Sequence, residues 1–288
     1  MTLSKRFLLI LAASCLVLSP SFSLPVSAAT DNTISVVTTL ALLADLTQEI
    51  GGPYVTVTSL VPGLGNPHSF EPTIRHLRLL QDADLFIRVG LDLEPWSDQL
   101  LKSADRGQLL VLTLGQAPDH DPHIWLDEPH LQAMIDQLTN TLCELMPARA
   151  AYFVGQAQAF LAQAAEIFAH YRRLLPQQPV SVVTAVPTYS YLLADLGLRE
   201  IGPLEEGHGD QPSARRVAQL VSAAKAGRAV AVISEQGFDH GFGAVLAQEA
   251  GLPLVYLTPT PAPNEEYLSF IRRNLEALTA AVTGVPIK

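Results

Sequence analysis

The chain contains little cysteine and little positive charge. Its two cysteines are Cys15, within an N-terminal leader, and Cys143. If the leader is removed, only Cys143 remains and no internal disulfide can form. Lys and Arg number 18 against 28 Asp and Glu, so the formal net charge is −10. An acidic chain without a basic patch argues against nucleic acid or an anionic membrane surface as its partner.

Several sequence motifs of enzymes are also missing. No Gly-x-Gly-x-x-Gly follows a strand pattern, and the chain has no phosphate-binding loop and no Gly-x-Ser-x-Gly nucleophile elbow. After the leader it has no low-complexity tract and no apolar run long enough to span a membrane. A zinc hydrolase stays open as an alternative, because a metal short of ligands beside Glu235 could imitate one.

The N-terminal leader predicts export. Lys5 and Arg6 precede a short apolar run, which small residues follow. This order is typical of a secretory signal peptide, here residues 1–28, with cleavage after Ala28 or one residue later. Lipid attachment at Cys15 is the alternative.

The remaining chain alternates strand and helix patterns. Apolar runs typical of buried strands occur in both halves, at residues 34–38, 55–60, 85–89, 109–112, 180–184, 229–233 and 254–257. Helical stretches separate them, which predicts βαβ units and mainly parallel sheets. We therefore predict an α/β fold with two Rossmann-like lobes, at residues 29–146 and 177–288.

Between the lobes lies a long helical pattern, residues 147–176. It is rich in Ala, Gln and Leu, and proline occurs only at its ends, as Pro147 and Pro176. Proline is favoured in the first turn of a helix and prevents continuation at the other end. At about 1.5 Å per residue the helix would be on the order of 40 Å long. The pattern therefore predicts one long, rigid helix that joins the lobes.

Two histidines follow prolines in predicted loops. His68 lies in residues 66–72, Asn-Pro-His-Ser-Phe-Glu-Pro, and His123 lies in residues 121–127, Asp-Pro-His-Ile-Trp-Leu-Asp. Proline stiffens the backbone at both places. The loop of His68 joins the end of a strand to a helix, where open α/β sheets collect ligands. Two such imidazoles with acids nearby indicate a metal site, although each could also be a solvated loop residue.

These motifs resemble those of a known family. Residues 66–72, 80–86, 90–96 and 123–127 occur in the order typical of the zinc- and manganese-binding proteins of bacterial ABC importers. These are the cluster A-I, or ZnuA/TroA-like, solute-binding proteins. The resemblance implies a periplasmic receptor that is not an enzyme. It would bind Zn²⁺, or alternatively Mn²⁺, between two lobes and deliver it to an ABC permease. We expect a monomer.

The resemblance implies ligands in both lobes. His68 and His123 match the family's two histidines of the first lobe. The family's third histidine falls at Val186 and an acidic ligand falls near Thr258, and neither side chain here replaces it. The His-rich loop of many zinc members is reduced to His120.

Other residues could complete the metal shell. Glu235 matches a family glutamate and would either bind the ion directly or hydrogen-bond a ligand. His208, in a Gly-rich loop, would either replace the lost third imidazole or stay solvated. His240 is a weaker candidate.

Supporting roles are expected for nearby carboxylates. Glu71 and Asp127 would orient His68 and His123 from outside the metal shell. The histidines within helical patterns are expected at the surface, namely His76, His130 and His170.

Two functions are compatible with this pattern. The first is a receptor for a divalent cation, zinc before manganese. The alternative is a degenerate member that binds metal weakly or not at all and serves another solute or a partner protein. Retention of both Pro-His loops favours the receptor, whereas the losses at Val186 and Thr258 favour the alternative.

Overall fold

The computed structural model describes residues 33–63, 65–115, 121–205, 211–236 and 241–285. The predicted signal peptide and the candidate lipid attachment site at Cys15 lie outside them. Within these ranges, no helix combines the length and the apolar character that crossing a membrane requires.

The first sheet has four parallel strands in the order β2-β1-β3-β4. Their bounds are β1 Ile34–Leu40, β2 Val55–Val61, β3 Leu85–Arg88 and β4 Leu110–Thr113. In register, Val36 of the central strand β1 lies opposite Val57 on one side and Leu85 on the other. β1 is buried along nearly its whole length, as expected for a parallel strand with helices on both faces.

The second sheet repeats this arrangement in the order β6-β5-β7-β8, again parallel. Its strands are β5 Ser181–Thr184, β6 Arg199–Ile201, β7 Val232–Glu235 and β8 Leu254–Leu257. The edge strand β6 was not among the predicted strands, because three residues are too few to show a periodic pattern.

Nine helices surround the sheets in the described part of the chain. They are α1 Ala41–Gly51, α2 Ile74–Gln81, α3 Trp96–Ala104, α4 Glu128–Leu145, α5 Ala150–Leu174, α6 Ser190–Asp195, α7 Ala214–Ala226, α8 Phe242–Ala250 and α9 Tyr267–Thr283. The predicted α/β fold with two parallel-sheet lobes and one long helix between them is confirmed. The lobe limits inferred from the sequence stay a prediction.

The long helix α5 packs against helices that flank both sheets. A one-turn 3-10 helix, Pro147–Arg149, precedes it, so the α-helix starts three residues later than its pattern predicts. One stripe of the helix is buried: Phe153, Ala157, Phe160, Ala164, Ile167, Phe168 and Tyr171. Their spacing of three and four residues is that of one helix face. This face packs against α1, α4 and the C-terminal helix α9.

The parallel strands place the functional loops. In each sheet the carboxyl ends of all four strands lie at the same edge. The two central strands are β1 and β3 in the first sheet and β5 and β7 in the second. The strand order reverses between them, because β2 and β4, or β6 and β8, lie on opposite sides. Ligands of open α/β sheets bind at this switch point. The loop of His68 follows β2, that of His123 follows β4, and Glu235 is the last residue of β7.

We expect Phe160→Ala to destabilise the protein by about 3–5 kcal/mol, because it removes a buried ring and leaves a cavity. Phe160 is 2 % exposed and its ring centroid lies 5.8 Å from that of Tyr267 in α9. Val154→Ala on the exposed side of α5 is the control and should change stability by less than about 1 kcal/mol. Urea unfolding of the metal-free protein measures both. Equal midpoints would contradict the packing role of α5.

Candidate metal site

The loop of His68 is held on both sides of the histidine. Asn66 Oδ1 accepts a hydrogen bond from the His68 main-chain N–H at 2.9 Å. The indole N–H of Trp96, at the start of α3, donates to the carbonyl oxygen of Pro67 at 2.7 Å. The Trp96 ring packs on Phe70, with ring centroids 4.9 Å apart. His68 itself is half-buried, so its imidazole is held in a shaped loop rather than in open solvent.

His123 is buried and tied to an aspartate. Its side chain is nearly enclosed, and Asp121 Oδ1 accepts from its main-chain N–H at 3.0 Å. The same oxygen lies 2.8 Å from Nδ1 of the ring. This geometry favours the tautomer with the proton on Nδ1, which leaves the lone pair of Nε2 for a metal ion.

The two imidazoles converge. Their ring centroids are 6.4 Å apart, with 55° between the ring planes. Zinc–nitrogen bonds of about 2.1 Å put the ring centroids of two histidines on one ion about 5–6 Å apart. A small adjustment would therefore let both rings bind the same ion. Burial, and next the neighbouring His123, lower the pKa of His68 below its usual value. Low pKa keeps the ring neutral, the form that binds metal.

Trp125 connects this region with the second half of the chain. Its ring meets that of His123 edge-on, with centroids 5.4 Å apart. Its indole N–H donates to the carbonyl oxygen of Pro259 at 2.6 Å, and its own carbonyl accepts from the Tyr267 hydroxyl at 2.6 Å. The sequence pattern did not predict that Trp125 links the two halves. The available sign was an aromatic residue two positions after a Pro-His pair.

Glu235 is placed at the strand edge of the second half. It is 4 % exposed, and the Thr188 hydroxyl donates to its Oε2 at 2.8 Å. The Tyr189 ring is fully buried beside it, and its hydroxyl has no hydrogen-bond partner within the described ranges. Burial, followed by the Glu235 charge, raises the pKa of Tyr189 well above its usual value, while Arg273 acts in the opposite direction.

The two positions where the resemblance implies lost ligands have other roles. Val186 follows β5 and is buried. Thr258 follows β8, and its main chain exchanges hydrogen bonds with the Asn274 side chain at 3.1 and 2.7 Å. Arg273 donates to the Thr258 hydroxyl at 3.0 Å and also pairs with Glu265. Neither position supplies a free metal ligand.

The expected role of Asp127 is wrong. Its carboxylate pairs with Nδ1 of His130, at 2.9 and 2.8 Å, and Asp121 occupies the position beside the His123 ring instead. Asp127 comes just before α4, and its side chain therefore meets the residue one turn along the helix. Glu71 is exposed, and no hydrogen bond links it to His68 in the part of the chain described.

The three histidines on helices differ in how exposed they are. His170 is exposed, as predicted. His76 and His130 are partly buried, contrary to the prediction. His76 accepts the main-chain N–H of Thr73 at the start of α2, and the His130 ring lies 4.2 Å from that of Tyr191. Both therefore serve the fold, which periodicity alone does not show.

The structure brings His68 and His123 together within the ranges that it describes. Among the described residues, no group of three or more His, Cys, Asp or Glu side chains could hold a metal ion. His208, His240 and His120 lie outside the described residues.

Comparison with known proteins identifies the family. The model of the family described as zinc-uptake complex component A, periplasmic, matches residues 36–281. The chain belongs to this family. The family is one of metal-uptake proteins, and relatives of this chain are named as zinc- or manganese-binding proteins.

Individual relatives carry names for both metals. The zinc-binding lipoprotein AdcA of Streptococcus pneumoniae strain R6 is 26 % identical over 304 aligned positions, which cover 95 % of this chain and 60 % of AdcA. This chain thus spans less than two thirds of that relative. The manganese-binding lipoprotein MntA of Halalkalibacterium halodurans is 23 % identical, with 87 % of this chain and 89 % of MntA covered.

A solved structure supports the fold. FpvC of Pseudomonas aeruginosa in complex with Mn²⁺ superposes with a TM-score of 0.79 at 22 % identity, over 88 % of this chain and 99 % of FpvC. The two-lobed architecture is therefore shared with a metal-loaded binding protein.

We expect Asp121→Asn to weaken zinc binding about 10-fold, because residues that orient a histidine ligand typically contribute that much. Asp127→Asn is the matched control and should stay within about 2-fold of the parent protein, since Asp127 contacts His130 rather than His123. Competition with a chromophoric chelator measures both dissociation constants. A larger loss in Asp127→Asn than in Asp121→Asn would contradict the assignment.

Proposed function

We propose that this protein is an exported receptor of an ABC importer that captures a divalent metal ion and hands it to a membrane permease. His68 and His123 would hold the ion between them. The observation that carries the proposal is their convergence, with ring centroids 6.4 Å apart and Asp121 engaged at Nδ1 of His123. Family membership supports the transport role.

Zinc is proposed before manganese. Both residues that converge are imidazoles, and nitrogen ligands bind Zn²⁺ more tightly than Mn²⁺. Manganese prefers sites richer in carboxylate and other oxygen ligands. The lost acidic position, Thr258, removes one such ligand.

Further ligands would complete the shell, because zinc sites usually take three or four protein ligands. Glu235 and His208 are proposed for this purpose. Glu235 is a buried carboxylate at the strand edge of the second half. Without them, binding would be weaker than in a family member with four protein ligands.

The second candidate function is a degenerate receptor that binds metal weakly or not at all and serves another solute or a partner protein. Two residues favour it. Val186 is buried and apolar, and the hydroxyl of Thr258 already accepts a hydrogen bond from Arg273. We also propose a monomer in the periplasm, with a lipid anchor at Cys15 as the alternative to cleavage near Ala28.

Calorimetric titration of the metal-stripped protein with zinc and then manganese tests the proposal. We expect one zinc ion per chain, bound more tightly than manganese. His68→Ala should abolish tight binding, and His208→Ala should weaken it about 10-fold or more, since each removes a direct ligand. His170→Ala, an exposed histidine on α5, is the matched control and should bind like the parent protein.

The outcomes separate the alternatives. If His68→Ala alone loses binding, Glu235 or water completes the shell, and Glu235→Gln should then weaken binding. If the parent protein binds neither metal, the degenerate receptor is supported.

Zinc affinity should also depend on pH. Since the pKa of His68 is lowered from 6.5, its ring is already neutral at pH 7 and loses no proton on binding there. Affinity should change little between about pH 8 and about 7. It should fall once pH decreases below the lowered pKa of His68, by up to tenfold per pH unit for each imidazole that must lose a proton.

Chelator competition at each pH measures this dependence, with circular dichroism to verify that the protein stays folded. Constant affinity down to about pH 5, where imidazole is ordinarily protonated, would exclude histidine ligation.

A further inference from the structure

The segment that follows β3, residues 89–95, is held in one shape. The carboxylate of Glu94 is 3 % exposed and accepts three hydrogen bonds. The donors are the Thr39 hydroxyl at 2.6 Å and the main-chain N–H groups of Val89 and Gly90, both at 2.9 Å. These hydrogen bonds link Glu94 with the start of its own segment and with the end of β1. They therefore fix the position of the backbone from which Trp96, the first residue of α3, extends.

Trp96 then reaches across to the histidine loop. Its indole N–H donates to the carbonyl oxygen of Pro67 at 2.7 Å, although 29 residues separate the two in sequence. Its ring packs on Phe70, with centroids 4.9 Å apart. The hydrogen bond and the ring contact thus reach the chain on both sides of His68.

The hydrogen bond acts on the peptide group that carries His68. The carbonyl oxygen of Pro67 and the N–H of His68 belong to the same planar peptide unit. Trp96 binds the oxygen and Asn66 Oδ1 binds the N–H. Because both polar atoms are engaged, the plane of this peptide is fixed, and with it the direction in which the His68 side chain leaves the backbone.

We propose that Trp96 is a positioning residue for metal binding, which orients His68 toward His123 through the Pro67 carbonyl. This inference rests on the proposed function. Ligands carried on loops lose affinity when the loop must be ordered at the moment of binding. Trp96 removes part of that cost by ordering the His68 peptide beforehand.

Trp96→Phe tests the proposal. Phenylalanine keeps a ring against Phe70 but has no N–H for Pro67. We expect the zinc dissociation constant to rise about 3- to 10-fold, the range that corresponds to one net hydrogen bond. Thr139→Val in α4 is the matched control, since it removes a buried hydrogen bond from a side chain to a carbonyl, 2.6 Å long, away from the site. Thr139→Val should lower the melting temperature without changing zinc affinity.

A second variant keeps the test informative if Trp96→Phe folds poorly. Asn66→Ala removes the hydrogen bond on the other side of the same peptide and should also weaken zinc binding about 3- to 10-fold. Because both hydrogen bonds fix one peptide plane, the double variant should lose less affinity than the product of the single losses.

The results distinguish this inference from the proposed function. If the parent protein binds zinc and Trp96→Phe binds it equally well, only the positioning role is overturned. The same holds if Thr139→Val loses as much affinity as Trp96→Phe. If the parent protein binds neither zinc nor manganese in chelator competition, the proposed function and this inference both fail.

Discussion

The relation between the two halves of the protein depends on the hydrogen bonds of Trp125. This side chain is 1 % exposed, and its indole N–H donates to Pro259, 134 residues away in sequence. Its carbonyl accepts from the buried hydroxyl of Tyr267, whose main-chain N–H donates to Asp45 of α1. A hydrogen bond of this kind contributes about 0.5–1.5 kcal/mol net of its exchange with water. Separation of the halves at this point would break both bonds of Trp125 and is therefore opposed.

The two site histidines are supported in different ways, with different consequences. His123 has a carboxylate, Asp121, at Nδ1 of its ring, which favours the tautomer with the proton on that nitrogen. His68 is supported through its main chain, by Asn66 and Trp96, which fixes the direction in which its side chain leaves the backbone. The proposed metal site would thus depend on a ring contact at His123 and on main-chain contacts at His68.

Much of the fold followed from the sequence because its signals are local. Strand runs such as residues 34–38, and the helical stripe of α5, are periodic patterns that burial imposes on contiguous residues. The two Pro-His loops stood out for the same reason. The three-residue strand β6 has no measurable period, so its pairing with β5 could not be foreseen.

The supporting contacts of the site were harder to predict because they depend on the path of the chain. Asp121 and Asp127 both lie within four residues of His123, and spacing alone does not say which carboxylate faces the ring. The start of α4 decides it, since the helix turns Asp127 toward His130. The contact between Trp96 and Pro67 joins separate loops, and no periodicity connects them.

The change at Thr258 bears on the choice of metal. Its hydroxyl accepts a hydrogen bond from Arg273, whose guanidinium also pairs with both carboxylate oxygens of Glu265. An acid at this position would attract a divalent ion, whereas the neutral hydroxyl of Thr258 does not. The loss of an anionic oxygen ligand weakens a manganese site more than a zinc site, since imidazole nitrogen suits zinc and carboxylate oxygen suits manganese. The ion would then lie toward the imidazoles of His68 and His123, and threonine in place of an acid would lower affinity for both metals but raise the preference for zinc.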